Sequence, residues 1–223
     1  MPTNDEPHPI PGAQGVRAAL PDWPIVTDWA TSFETPTRDF MAVLATRRSS
    51  TGAAVGDDEL AALLRHSTML RHRGSDGRFG RWESRPTPSA GGMHAIRILC
   101  LPWQPTGTGG IYDADRHVLF DPPSLGEALR LNRSNVGELT AATDGTTLQL
   151  VADIGHYDSC YRNSSSLMWR DSGALCATIG LVAAALSLTA VVLGRIGTDI
   201  VEAAGLMHPH VGAGAIHIGV RDG

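Results

Sequence analysis

From Thr37 onward the chain places apolar residues at helical spacing, with Phe40, Met41, Val43 and Leu44 on one face before Thr46 and the run Arg47, Arg48, Ser49, Ser50, Thr51 break the pattern. Gly56, Asp57 and Asp58 then predict the cap of a second helix over 59–66, whose leucines recur at core-facing intervals. Residues 95–101 read as an apolar strand, and 109–113 and 117–120 as short β segments joined in a hairpin around Ala114, Asp115 and Arg116. Ser124 opens a predicted helix over 124–131, and 147–152 forms a buried strand ending at Asp153. Helices, strands and hairpin alternate without a regular β-α-β rhythm, which predicts an α+β fold.

Residues 172–194 carry no charge and are long enough to span a bilayer. Gly173, Thr178, Gly180, Ser187 and Thr189 dilute their hydrophobicity, however, and the β-rich run 190–193 divides them into a helix to about Leu188 and a strand. Asp171 and Arg195 close the segment without an aromatic belt or a basic flank, so the prediction is a buried core helix and no membrane span. A helix apolar on all sides in a chain of this size calls for a second subunit as well as its own sheet. A short helix over 198–206 and a strand over 215–221 end the chain. His208, His210 and His217 have no Asp, Glu or Cys among them, so no metal site is expected.

At the other end, 1–24 is proline-rich and polar, lacks the apolar core of a signal peptide, and reads as a mobile or surface-wrapping arm. The division is an arm over 1–36 and one domain over 37–223. The charged, glycine-rich stretch 71–81 reads as a loop.

Composition narrows the chemistry. The formal charge of -5 lacks the basic excess of a nucleic-acid surface. All 18 basic residues are arginine, which excludes a P-loop lysine, a Schiff-base lysine and a lysine general base, and leaves any anion to arginine, backbone N–H groups or helix ends. Cys100, Cys160 and Cys176 are odd in number and widely spaced, which supports neither a disulfide framework nor a zinc knuckle and suits a reducing cytoplasm.

Two stretches carry candidate chemistry. Arg47, Arg48 and Ser49, where a helix gives way to a loop, suit either a phosphate or a solvated helix end with cations at its negative pole. In 85–101, prolines 86 and 88 stiffen a turn whose Ser89, Ala90, Gly91 and Gly92 leave little side-chain bulk, so a flat cofactor or another element of the protein could lie against the backbone.

Taken in order, Arg47-Arg48-Ser49, the 88–94 turn, Gly110 to Asp113 followed by His117, Asp171-Ser172-Gly173 opening an apolar helix, 194–199, and Ile218 to Arg221 resemble the motifs of the nitroreductase-like flavoproteins. The resemblance covers about residues 37–221 and is nearest to the SagB-type branch, the dehydrogenases that accompany peptide cyclodehydratases. It implies an α+β fold with a central, mostly antiparallel sheet flanked by helices, in an intertwined homodimer that binds FMN between its subunits. It further implies that Arg47 and Ser49 meet the FMN phosphate with Arg48 beside them and Arg221 approaching from the chain end. Pro88, Ser89, Ala90 and Gly91 would line the isoalloxazine, and Leu193, Gly194 and Arg195 would offer backbone N–H groups near the reactive nitrogen. The implied reaction is oxidation of a thiazoline or oxazoline in a modified peptide to the azole, within or beside a cyclodehydratase complex, with oxygen reoxidising the flavin. Tyr161 is the candidate acid/base, with Tyr157 and His156 as rivals. Three positions depart from the pattern: Thr51 stands where a basic residue meets the flavin's pyrimidine edge, Ala174 where histidine or glutamate is common, and Arg195 where glycine is usual.

Overall fold

The computed structural model describes residues 6–29 and 35–221; parts of the predicted arm and the last two residues of the predicted domain lie outside the described residues. Seven strands form one antiparallel sheet. In chain order they are β2 (Ile25–Asp28), β5 (Ile96–Pro102), β6 (Gly110–Asp113), β7 (Val118–Phe120), β8 (Thr146–Asp153), β10 (Leu188–Leu193) and β11 (His210–Val220), and in space they run β10-β11-β8-β5-β6-β7-β2. Two small ribbons stand apart: β1 (His8–Pro9) with β9 (Tyr161–Arg162), and β3 (His72–Gly77) with β4 (Gly80–Ser84).

The two-residue period of the central strands sorts their side chains into two cores. Ile98 and Cys100 of β5 and Leu148 and Leu150 of β8 face α2 (Asp57–Thr68) and α5 (Ser165–Ala185), where they meet Leu60, Leu63, Leu64, Leu175 and Ile179. Leu99 and Leu101 of β5 and Val151 of β8 face α3 (Leu125–Thr140) and α6 (Thr198–Ala203) through Ala128, Ile200 and Val201. The remaining helices are α1 (Phe40–Thr46), packed on α5, and α4 (Ile154–Cys160).

The α+β expectation holds, as does the break of the apolar 172–194 segment into helix and strand, which falls at Ser187 with φ +65°. The β6–β7 hairpin also forms as expected. Four details differ. The long helix begins at Ser165, nearly two turns before Asp171, so Asp171 lies within it. α3 runs to Thr140 because Asn132, polar by type, is buried against arginine. The stretch 71–81 is largely a hairpin: Trp82 lies across Gly74 and Gly77, its Nε1 donates to Asp76 at 2.8 Å, and Arg73 pairs with Glu83 across the strands. Of the predicted apolar face of α1 only Val43 is buried; Phe40 and Met41 are 61% and 66% exposed.

The segment 6–29 is fastened to the body. Its backbone meets Cys160 O, Phe79 O and Ser159 Oγ, the Ala18 N–H donates to Asp153 Oδ2 at 2.6 Å, and residues 25–28 supply the outermost strand of the sheet. Among the described residues no helix is long and apolar enough to cross a membrane, and the three cysteines are free and buried.

Candidate functional site along helix α5

The face of α5 turned from the sheet carries Trp169, Gly173, Ala177 and Leu181, spaced by four and lined up on one stripe; the first three are exposed. Two structures flank it. Beside the C-terminal half lies a groove of about 300 Å³, edged by Arg47 and Ser49 and floored by Ala177, Gly180, Ala190 and Val192. Its small residues leave the helix and strand backbones open to contact.

The groove's polar edge is held by backbone pairing. Ser49 bridges Ala190 of β10, and Ala53 exchanges both backbone hydrogen bonds with Val220 at 2.9 and 3.0 Å. Gly52 makes this approach possible, since a Cβ there would lie 2.1 Å from Val220 O. The 47–53 loop is therefore fastened against the end of β11, just before exposed Arg221, while Thr51 is exposed. Within the trio the roles separate. Arg48 gives Nη1 to the carbonyls of Ala45 and Arg47 at the end of α1, at 2.9 and 2.8 Å. Arg47 is exposed and pairs with no carboxylate among the described residues. A cation beside a hydroxyl, without an internal partner, is what an anionic group requires.

Beside the N-terminal half of α5 stands the 88–91 turn, and a buried carboxylate fixes it. Asp171 accepts from Ser89 Oγ at 2.7 Å, from the Ala90 N–H at 3.0 Å and from Tyr157 Oη at 2.9 Å. Ser89 Oγ in turn accepts the His94 N–H at 3.0 Å. With its polar groups turned inward, the turn leaves Pro88 and Gly91 exposed, and Gly91 has φ +58°. The Tyr161 hydroxyl would lie 3.2 Å from a Cβ on Gly91, and the Tyr161 ring meets Phe79 edge-on at 4.9 Å.

The third predicted piece, 193–195, is tied to the same helix. Ser172 Oγ donates to Ala213 O on β11, and the Gly214 N–H donates to Ile196 O at 3.0 Å. Gln149 Nε2 donates to Ile196 O and Gly214 O at 2.8 and 2.9 Å, filling the space a side chain on Gly197 would need. Leu193 packs toward α3 with Val136 and Ala142. The Arg195 side chain points the same way, to Asn135 Oδ1 at 3.0 Å and Asn132 Oδ1 at 2.6 Å, and burial pushes its guanidinium down to about 10. Gly194 is exposed, and a Cβ on it would meet nothing within 4 Å.

The structure thus joins Arg47 and Ser49 in one groove and links 88–91 to 193–197 through Asp171 and Ser172, but it does not place Pro88 to Gly91 on the Arg47 groove within one chain. Among the three candidate acid/base groups, Tyr157 is 1% exposed with its hydroxyl committed to Asp171, and burial drives its phenol far above the ordinary range. His156 is buried in the first turn of α4, behind Gly15 of the arm, and burial lowers its pKa. Tyr161 alone is part-exposed next to Gly91; burial raises its phenol too, so it is protonated at neutral pH. Sequence reading places Asp171 and Ser172 in a motif at the head of the long helix without assigning either a role at the site, and it passes over Gln149. Their signals were a single acid in an apolar helix and a single amide in an apolar strand.

No family model and no curated protein matches the chain by sequence. Solved structures do match. A protein described as a nitroreductase from Ralstonia eutropha JMP134 aligns with a TM-score of 0.68 and 20% identity over 98% of this chain and 99% of that one. A nitroreductase-type protein from Desulfovibrio desulfuricans, crystallised in complex with FMN, gives 0.54 and 17% over 86% and 89%. A chain of the E. coli microcin synthetase McbBCD complex, with truncated pro-MccB17 bound, gives 0.59 and 14% over 87% and 77%. The protein has the nitroreductase-like fold, and at these identities the likeness extends to the fold alone.

Proposed function

We propose that this chain is an FMN-dependent oxidoreductase, working as a homodimer, that oxidises azoline rings to azoles in a ribosomally made peptide. The observation that carries the flavin reading is the groove along α5, with an arginine unpaired among the described residues and a hydroxyl at one edge and an apolar floor in which Ala177, Gly180 and Ala190 lie beside Leu181, Val192 and Ile216. These residues fit FMN: Arg47 and Ser49 suit its phosphate, and side-chain-poor walls suit a planar ring. The fold shared with an FMN complex from Desulfovibrio desulfuricans supports the same reading.

The homodimer is supported by the exposed stripe on α5 and the exposed apolar residues of α1. A second copy laid along α5 would bring its 88–91 turn toward the first copy's Arg47 groove and close a site that one chain leaves in two parts. FMN, when bound, supplies a two-electron hydride acceptor. The chain's own part is to hold the phosphate at Arg47 and Ser49, to keep the 88–91 wall flat through Asp171, and to present the backbone at Gly194. Oxidation of the ring also releases a proton, and Tyr161, next to Gly91, is the group we assign to take it up, which only its phenolate form can do, after the phenol that burial keeps protonated has lost its own proton to solvent.

The peptide substrate and a cyclodehydratase partner are supported by the fold shared with a chain of the microcin synthetase complex. An NAD(P)H-driven nitro or quinone reductase is the second reading, favoured by the match to the Ralstonia eutropha protein across nearly the whole of both chains. Anaerobic titration of the FMN-loaded protein separates them. Bleaching of the flavin band by a thiazoline- or oxazoline-containing peptide, with azole formed in equal amount and no response to NAD(P)H, is the expected result. Bleaching by NAD(P)H alone would replace the azoline reading with the reductase one, and no bleaching by either would favour a non-catalytic subunit.

A further inference from the structure

Behind the 88–91 turn lies a cleft of about 120 Å³, separate from the α5 groove, walled by Arg17 of the arm, Arg97 of β5, Arg85, Ser67, Pro88 and Ser89. Arg85 is neutralised, because it pairs with Glu83 at 2.7 Å and with Asp115 at 2.5 Å. Arg17 and Arg97 are not. Among the described residues neither forms an ion pair, and each gives one N–H to a backbone carbonyl: Arg17 Nη2 to His94 O at 3.1 Å and Arg97 Nη2 to Ala18 O at 2.8 Å. The Nε of both is buried without an acceptor among the described residues. Ser67 is 0% exposed, and its hydroxyl has no partner among the described residues.

No acid at the cleft pairs directly with either guanidinium, although Glu83, Asp115 and Asp113 act on Arg17 through space and Asp113, Asp153 and Asp115 on Arg97. Asp171 is taken up by Ser89, Ala90 and Tyr157; Asp113 Oδ1 accepts the N–H groups of Asp115 and Arg116; Asp115 accepts from Arg73 and Arg85. His94 meets Glu83 O through Nε2 at 3.0 Å, and Tyr112 meets His117 Nδ1 at 2.7 Å. Burial lowers the pKa of both free arginines, Arg97 to about 10, where the charge of Arg17 adds to the cost. The Nε groups of two guanidiniums and one buried hydroxyl around this space have no hydrogen-bond acceptor among the described residues.

The geometry points to an oxyanion site: a small carboxylate or phosphate held between Arg17 and Arg97, with Ser67 Oγ as third donor. The cleft has room for a small oxyanion such as inorganic phosphate or a short carboxylate. Because Arg17 belongs to the arm and Arg97 to the sheet, the bound anion fastens one to the other. The site does not depend on the flavin reading.

Calorimetric titration of the full chain with sodium phosphate and, separately, sodium acetate, at ionic strength held constant with sodium chloride, tests it. We expect about one site per chain for at least one anion, retained in Arg47→Gln and weakened about tenfold or more in Arg17→Gln. Phosphate without acetate assigns a phosphate ligand, and the reverse a carboxylate. Arg17 sits on a surface segment, so Arg17→Gln keeps the fold, checked by circular dichroism; Arg97→Gln serves as a second variant. Binding of neither anion would show a cleft filled by water and overturn the proposal. So would binding that survives Arg17→Gln in an Arg47→Gln background, or that is lost only in Arg47→Gln.

Discussion

The two ends of α5 handle polar groups in opposite ways. At the N-terminal end, Asp171 is buried and accepts from Ser89, Ala90 and Tyr157, so the 88–91 turn is held in one shape. At the C-terminal end, Arg47 and Ser49 stand exposed over a mostly apolar floor, and their side chains have no partner among the described residues. A satisfied network gives rigidity, whereas an unsatisfied exposed cation beside an apolar floor leaves binding capacity unspent. The difference separates the part of the site that shapes from the part that binds.

Asp171→Ala should have the largest effect of any single change here. It strands the donors of Ser89, Ala90 and Tyr157, and urea denaturation should show a loss of about 3 kcal/mol. A loss under about 1 kcal/mol would mean the network is dispensable. Ala177→Arg, on the exposed stripe, should leave the monomer folded while abolishing dimer and bound flavin together, as read by light scattering and absorbance. Retained dimer would move the interface elsewhere.

Arg47→Gln should weaken FMN about tenfold or more while changing stability by less than about 0.5 kcal/mol, the reverse of Asp171→Ala. Equal effects on both would erase the distinction between the two ends.

The smallest expected effect lies on acid stability. Burial alone would raise the Glu83 carboxyl, but hydrogen bonds from Arg81 and Arg85, the charge of Arg85 and a hydrogen bond from Arg73 outweigh it and hold the group at about 2. The unfolded chain therefore takes up this proton first. Glu83 stabilises the fold above about pH 4.5, and that contribution is lost as pH falls from there toward 2. Glu83→Gln should flatten this limb of the stability-against-pH curve; an unchanged limb would mean that the arginine cluster does not hold the carboxylate in solution.

Local pattern made α2, the β6–β7 hairpin and the helix-strand break near Ser187 legible, because each rests on spacing or turn residues within a few positions. The β3–β4 hairpin was not, since its strands carry glycine and charge in place of alternating apolar residues and are held by Trp82 and the Arg73–Glu83 pair. Arg47 and Ser49 stood out as residue types, but whether they bind or merely solvate a helix end turned on the absence of a partner, which only the folded chain reveals. Asp171 lies far along the chain from Ser89 and Ala90, so its role has no local signature. The spacing of Phe40, Met41, Val43 and Leu44 predicts an amphipathic α1, and the packing of a single chain buries only Val43 of that face.

The central claim is that α5 carries a flavin site completed by a second copy. Titrating the purified chain with FMN while recording its visible spectrum and its mass in solution tests that claim most directly. The account predicts a dimer that takes up about one FMN per chain, with the flavin band shifted from that of free FMN; a monomer that remains colourless and ignores added FMN would contradict it.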